Sequence, residues 1–334
     1  MVKAAQTCSS LSCSRLLSGL LAGLSLLAVG SCEPKDSRAS PDGLSSNDAA
    51  RSCPDAAPAQ IQLKGGEFTL GAKPENPEEG PTRRVVVKPF TIDRTEVTNR
   101  QFAEFVDATG YVTLAERAPD PALYPGVPPE LLKPSSLVFV GAAGLGSGDP
   151  AGWWRVVDGA SWRHPEGPGS DLDGRERHPV VQVAFEDALA YARWRGRDLP
   201  TEEEWEFAAR GGLDNQRFEW GDAPPSANAP RANTWQGLFP AVDLGSDGYR
   251  ARTAPVGCYE ANGYGLFDMT GNVWEWTSGK VPGATPGEGR LIKGGSFLCA
   301  DNFCLRYRPS ARQSGPPDTG SSHIGFRTVS RSSR

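Results

Sequence analysis

The chain has 334 residues, 38% of them hydrophobic, which is enough to bury a sizeable core. Its 35 Lys and Arg against 40 Asp and Glu leave a net charge of −5 with no basic stripe, and this excludes a nucleic-acid backbone as partner. Glycine (39), proline (29) and tryptophan (9) are all abundant, which predicts irregular loops pinned by large aromatic side chains.

Residues 1–32 read as an export leader. Lys3 and Arg15 supply positive charge, and Leu16 to Val29 is an apolar run too short to be read as a membrane span. Val29-Gly30-Ser31-Cys32 then resembles a bacterial lipobox, which makes Cys32 the expected lipidation site and the lipid the only membrane attachment. A plain signal peptide cut near Cys32 is the alternative, and both predict export to a cell envelope. In residues 33–60 Leu44 is the only large aliphatic residue, so the segment is expected to be a disordered tether ahead of one folded domain, residues 61–334. An envelope compartment permits a Cys53–Cys258 pairing, but nothing in the sequence selects it.

Gly65 to Gly71 and Arg84 to Asp93 carry the β-branched and aromatic residues of strands. Thr98 and Gln101 form a capping-box pattern ahead of Phe102, Phe105 and Val106, and Gly110 ends that helix. A second helix presents Phe185, Leu189 and Ala192 and stops at Gly196. A third is capped by Thr201 with Glu204 and carries Trp205 and Ala208, while Glu202 and Glu203 suit the positive end of its dipole. Val112 to His178 is rich in Pro, Gly and Trp with little periodicity, so it is expected to pack on the body as the wall of a cleft.

Cys299 and Cys304 stand five apart, behind Gly294-Gly295-Ser296 and ahead of Arg306-Tyr307-Arg308. From spacing alone they are compatible with a small-loop disulfide, a soft-metal site or a redox pair. The only histidines, His164, His178 and His323, lack metal-ligand spacing, which argues against a histidine-based zinc or iron centre.

Eight segments taken together are similar to one family. They are Ile92 to Asn99, Trp162-Arg163-His164-Pro165-Glu166-Gly167-Pro168, Leu199 to Ala208, Ala232 to Gly237, Asn262 to Leu266, Gly271 to Thr277, the cysteine segment, and Ile324-Gly325-Phe326-Arg327. The chain resembles the formylglycine-generating enzymes, or sulfatase-modifying factors, over residues 62–330. The resemblance implies a single α+β, loop-rich domain of the formylglycine-generating-enzyme fold, C-type-lectin-like, with little regular secondary structure. It also implies a copper-dependent oxidase that uses dioxygen to convert a cysteine in a Cys-x-Pro-x-Arg segment of an unfolded sulfatase to formylglycine, an external thiol supplying reducing equivalents. Cys299 and Cys304 would be the Cu(I) ligands, and Ser296 would lie in the oxygen pocket. Structural Ca2+ would be held at a first site by Asn233, Thr234, Asp247 and Tyr249, and at a second by Asp268, Gly271, Val273 and Glu275. Arg306 and Arg308 are candidates for orienting substrate groups, although structural pairing explains either alone.

Beside the family, Ala300 replaces a common histidine, Phe303 a tyrosine and His323 an asparagine, and the segment from Ser278 to Arg290 looks shortened. These departures keep two other expectations open. One is an envelope-anchored binding or scaffold protein that has lost the chemistry, and the other is an oxidase of some other thiol.

Overall fold

The computed structural model describes residues 53, 59–141, 150–226, 229–281 and 289–331. The leader, Cys32 and most of the expected tether lie outside the described residues, as does the middle of the segment that looks shortened.

The strands are short and the connections long, as the glycine and proline content requires. Strands β1 (Gln60–Leu63) and β2 (Gly66–Leu70) are followed by β3 (Arg83–Val87) and β4 (Phe90–Asp93). The run from Arg84 to Asp93, read as one strand, is therefore two. It divides at Pro89, which has no N–H for a ladder, so that β3 pairs with β2 while β4 lies between β1 and the last strand, β11 (Val329–Ser330). Both ends of the domain thus meet on β4, with Gln60 opposite Asp93 and Val329 opposite Ile92.

All three expected helices form. Helix α1 (Asn99–Thr109) opens on the Thr98–Gln101 capping box and ends at Gly110 in the left-handed conformation, φ 66°. Helix α2 (Phe185–Trp194) has no side-chain cap of its own at Ala184, whose N–H donates instead to Asp187 Oδ2 at 2.8 Å. Helix α3 (Glu202–Ala209) is capped by Thr201 with Glu204. Within the long Pro- and Trp-rich segment, β5 (Ser135–Phe139) and β6 (Trp154–Asp158) pair as an antiparallel ladder that the sequence pattern had not marked.

The second large sheet has the order β10 (Ile324–Gly325), β7 (Trp274–Lys280), β8 (Arg290–Lys293), β9 (Arg312–Gly315). Phe102, Trp162, Tyr191, Trp276 and Phe326 are buried between this sheet and helices α1 and α2, and Phe68, Phe90, Ile92 and Trp205 between the first sheet and α3. Loops are fastened by buried ion pairs: Lys293 to Glu206 at 2.9 Å, Arg327 to Glu275 at 2.7 Å, and Arg308 to Glu79. A disulfide joins Cys53 to Cys258, so the pairing that the sequence left open is made.

Candidate active site

Strand β8 delivers the chain to two glycines, both in the left-handed region with φ 97° and 75°. A Cβ on Gly295 would lie 2.8 Å from the Arg306 carbonyl oxygen and 2.9 Å from Tyr307 Cα. Only glycine lets residues 306–307 cross so near, and that crossing brings Cys304 back towards Cys299. After the glycines, the Ser296 carbonyl accepts the Cys299 N–H at 2.9 Å and the Ser296 hydroxyl accepts the Leu298 N–H at 3.2 Å. This turn aims Cys299 into the core, where it is 2% exposed.

The chain then doubles back between Ala300 and Phe303, which exchange both backbone hydrogen bonds at 3.0 and 3.1 Å. Cys304 and Leu305 follow with φ 79° and 42°, consecutive left-handed residues without glycine's freedom. Such backbone persists only where its surroundings hold it. Arg308 does so here, its Nε donating to the Leu305 carbonyl at 2.7 Å while its Nη1 is anchored on Glu79 at 3.0 Å.

The outcome is a contact between two free thiols, Cys299 Sγ to Cys304 Sγ at 3.0 Å. Burial pushes the Cys299 thiol well above its ordinary range. The hydrogen bond from Cys299, with help from the Arg306 guanidinium, brings Cys304 down to about 7. One sulfur is therefore held as a donor and the other drawn towards thiolate. Two soft sulfurs in contact, the outer one partly exposed, fit a monovalent ion such as Cu(I).

The two arginines behind the pair have structural partners, Arg306 on Glu78 at 2.7 Å and Arg308 on Glu79. Tyr307 stacks on Phe218 and donates its hydroxyl to Asp301, closing the turn from behind. Where the chain departs from the family, Ala300 is buried and Phe303 is exposed, stacked flat on Phe239 at 4.5 Å. His323 packs its ring on Trp154 with Nδ1 2.7 Å from the Ser321 hydroxyl. Burial holds it neutral, down to about 3.

The residues named for the first calcium site do converge. Asp247 accepts the Thr234 N–H at 3.1 Å and the Tyr249 N–H at 3.0 Å, and Tyr259 donates its hydroxyl to the Asp247 carbonyl. Asn233 Oδ1 is buried beside them with no hydrogen-bond partner, an oxygen suited to a hard cation. At the second site Glu275 is engaged by Arg327 and by the Trp205 indole, and Asp268 accepts the Gly257 N–H at 2.6 Å.

Glu96, which the sequence reading assigned no role, joins this second cluster. One of its oxygens accepts from Asn272 at 3.0 Å, and the other is buried without a hydrogen-bond partner, in an ion pair with Arg327 at 4.0 Å. Burial, with the Asp268 and Glu275 charges nearby, pushes the Glu96 carboxyl well above the ordinary carboxylate range, and burial brings Asp268 up to about 6, so carboxyl oxygens are gathered here around one guanidinium. Among the described residues, however, no three His, Cys, Asp or Glu side chains converge closely enough to form a ready metal cage.

The model of the sulfatase-modifying factor enzyme 1-like domain matches residues 45–332. A formylglycine-generating enzyme of Mycobacterium tuberculosis is 48% identical over 80% of this chain and 96% of its own. A mouse protein described as an inactive C-alpha-formylglycine-generating enzyme 2 is 42% identical over 83% of this chain and 87% of its own. Among solved structures, PvdO from Pseudomonas aeruginosa superposes with a TM-score of 0.55 at 24% identity, over 82% of this chain and 94% of that one. This last likeness speaks for the fold alone.

Proposed function

The chain belongs to the sulfatase-modifying factor family, and we propose that it is an oxidoreductase that converts a cysteine of a sulfatase polypeptide to formylglycine. The observation that carries the reading is the contact of two free thiols, Cys299 and Cys304, at the end of a glycine-built turn. The finer proposal is that these two residues hold Cu(I), which when bound supplies dioxygen chemistry and a seat for the substrate thiol. The chain's own part is to keep one sulfur buried and the other at the surface, so that a guest thiol can approach from the Cys304 side. Ser296, fully buried at the start of the turn, would orient a polar group there through its hydroxyl.

In the overall balance the substrate loses two hydrogens, one from Cβ and one from its thiol, to give a thioaldehyde, and the sulfur leaves as hydrogen sulfide when water hydrolyses it to the aldehyde. Dioxygen takes up four electrons, two from the substrate and two from an external thiol reductant that ends as a disulfide. The target would be a Cys-x-Pro-x-Arg segment. Structural Ca2+ at the two oxygen-rich sites, and anchoring of an exported chain through a lipid on Cys32, belong to the same proposal. The test is to load the exported domain with Cu(I), add a Cys-x-Pro-x-Arg peptide, a thiol and air, and capture the aldehyde with a hydrazide. A folded, copper-loaded sample that yields no aldehyde overturns the reading.

A second reading, an anchored scaffold without activity, is favoured by the replacements Ala300, Phe303 and His323 around the turn. Under it, Cys299→Ser/Cys304→Ser leaves the host's phenotype unchanged, whereas loss of sulfatase activity in that variant excludes it.

A further inference from the structure

We propose that the cleft on the outer side of the cysteine turn, lined by Trp220, Trp235, Leu244 and Tyr307 and with the exposed Leu238, Val242 and Phe303 on the segments beside it, binds an apolar side chain of the substrate polypeptide close to its reacting cysteine. The inference rests on the activity proposed above and names a specificity site for it.

The cleft has a volume of about 190 Å3, the scale of one large side chain. One wall is the turn itself, contributed by Asp301, Asn302 and Tyr307. The other is formed by Trp220, Trp235 and Leu244. Asp301 and Asn302 lie three and two residues before Cys304, so a polypeptide that brings a thiol to Cys304 along this side of the turn would set the residues flanking its cysteine over the cleft.

The lining and the segments beside it expose apolar surface that folding would ordinarily bury. Leu238 is 62% exposed, Leu244 59%, Val242 49% and Phe303 41%. These side chains are not merely loose. Ala241 and Val242 both donate to the Leu238 carbonyl at 2.8 Å, Leu244 donates to the Gln236 carbonyl at 2.6 Å, and the Trp235 indole donates to the Val242 carbonyl at 2.9 Å. A Cβ on Gly237 would sit 2.5 Å from that same carbonyl, so the loop is packed on itself. Phe239 alone turns inward, and it lies flat against Phe303 at 4.5 Å with an interplanar angle of 9°. Ridge and cysteine turn are thus one rigid surface, preorganised for a partner.

The polar groups of the walls also indicate what that partner is. Asp301 is occupied by the Tyr307 hydroxyl, Gln236 by Asp247 and the Thr234 carbonyl, Arg231 by Glu260, and the Trp220 indole by the Ala223 carbonyl. With these hydrogen bonds made within the protein, Trp220, Trp235, Tyr307 and Leu244 present the apolar part of the lining, beside the polar side chains of Ser226, Thr234, Asp301 and Asn302. An aliphatic or aromatic side chain fits that apolar part, and an acidic one would be desolvated there beside the Asp301 carboxylate. Such a site also favours unfolded substrate, because only an unfolded segment presents apolar side chains to solvent.

The experiment measures peptide affinity for the intact exported domain by fluorescence anisotropy. It uses peptides with Ser in place of the reacting cysteine, and places Leu or Asp in turn at each of the three positions on either side. At one or two positions Leu is expected to bind about tenfold or more tightly than Asp. Leu244→Asp and Leu238→Ser are expected to abolish that preference, and Leu213→Asp, an exposed leucine outside the cleft, to keep it. Equal affinity of all Leu and Asp peptides, or a preference that survives both Leu244→Asp and Leu238→Ser, overturns the proposal. Thermal melting checks that the variants fold, and the peptide series tests the cleft without any change to the protein. If peptides bind with the expected preference but the Cys-containing form yields no aldehyde, the proposed chemistry falls and the cleft stands.

Discussion

Removing the Cys53–Cys258 bond is expected to cost stability mainly through the unfolded chain. The bond spans 205 residues, and the loop-closure relation for a ring of that size gives about 5 kcal/mol at 25 °C. Cross-links usually return about 2–4 kcal/mol, so a cost near 3 kcal/mol is expected. In a domain of this size that corresponds to a melting temperature lower by about 6–12 °C. Native contacts add little to the difference. Tyr249 Oη lies 3.2 Å from Cys53 Sγ and 3.5 Å from Cys258 Sγ, and serine hydroxyls at both positions can keep those hydrogen bonds.

The assay is calorimetry of the wild type and of Cys53→Ser/Cys258→Ser, each with and without a phosphine reductant. The wild type in reductant should melt with the double variant, the variant should ignore the reductant, and Cys53→Ser alone should cost as much as the pair. A double variant that melts within about 1 °C of the wild type would refute the reasoning, because the loop-entropy cost it relies on would be missing. The bond also packs with Tyr249 and Tyr259, which lead to Asp247. Calcium should accordingly stabilise the double variant less than it does the wild type.

Gly295→Ala places a Cβ within 2.8 Å of the Arg306 carbonyl at φ 75°. Left-handed strain of about 1–2 kcal/mol adds to a displacement of residues 306–307, and Cu(I) affinity measured by chelator competition should fall, while an unchanged affinity would sink the account of the turn. Arg308→Met leaves Glu79 charged and buried and is expected to cost about 3–5 kcal/mol in chemical denaturation. Glu79→Leu added to it should recover much of that loss, and additive costs in the double-mutant cycle would count against the pairing. Burial holds the Glu219 carboxyl up to about 8 against an ordinary 4.5. Between those pH values the folded chain keeps a proton that the unfolded chain has lost, so stability falls as pH rises. In chelator, Glu219→Gln should therefore melt above the wild type at pH 8, with the difference shrinking towards pH 5. A difference independent of pH would argue that Glu219 is ionised in the fold.

What could be read from sequence was whatever a few neighbouring residues decide among themselves. Thr98 and Gln101 cap α1, and Thr201 and Glu204 cap α3, because each pair lies within one helical turn and needs no distant partner. That Cys299 and Cys304 meet was legible for the same reason, whereas their spacing left disulfide, soft-metal site and redox pair open and only the family resemblance chose among them. Choices made by distant chain were not legible. The break at Pro89 sends β3 and β4 to different sheets, and only the arrival of β1 and β11 decides that. The partner of Cys53 lies 205 residues away. Glu96 and Glu219 carry residue types that ordinarily face water, so nothing local marks them as buried.

The same division explains how a loop-rich chain holds a precise site. No helix carries either cysteine, so the positioning that regular backbone would provide comes from long-range side chains. Arg308 reaches from the cysteine segment to Glu79 and fixes the left-handed Leu305 on its way. Lys293 ties the end of β8 to Glu206 on α3 just before the two glycines. These ion pairs bury charge that a hydrophobic replacement could match for stability, so their stronger effect is on geometry. A variant such as Arg308→Met/Glu79→Leu should accordingly regain its melting temperature more completely than its Cu(I) affinity. If both returned together, the apolar pair would be holding the turn as well as the ions do, and the positioning role assigned to Arg308 would have to be withdrawn.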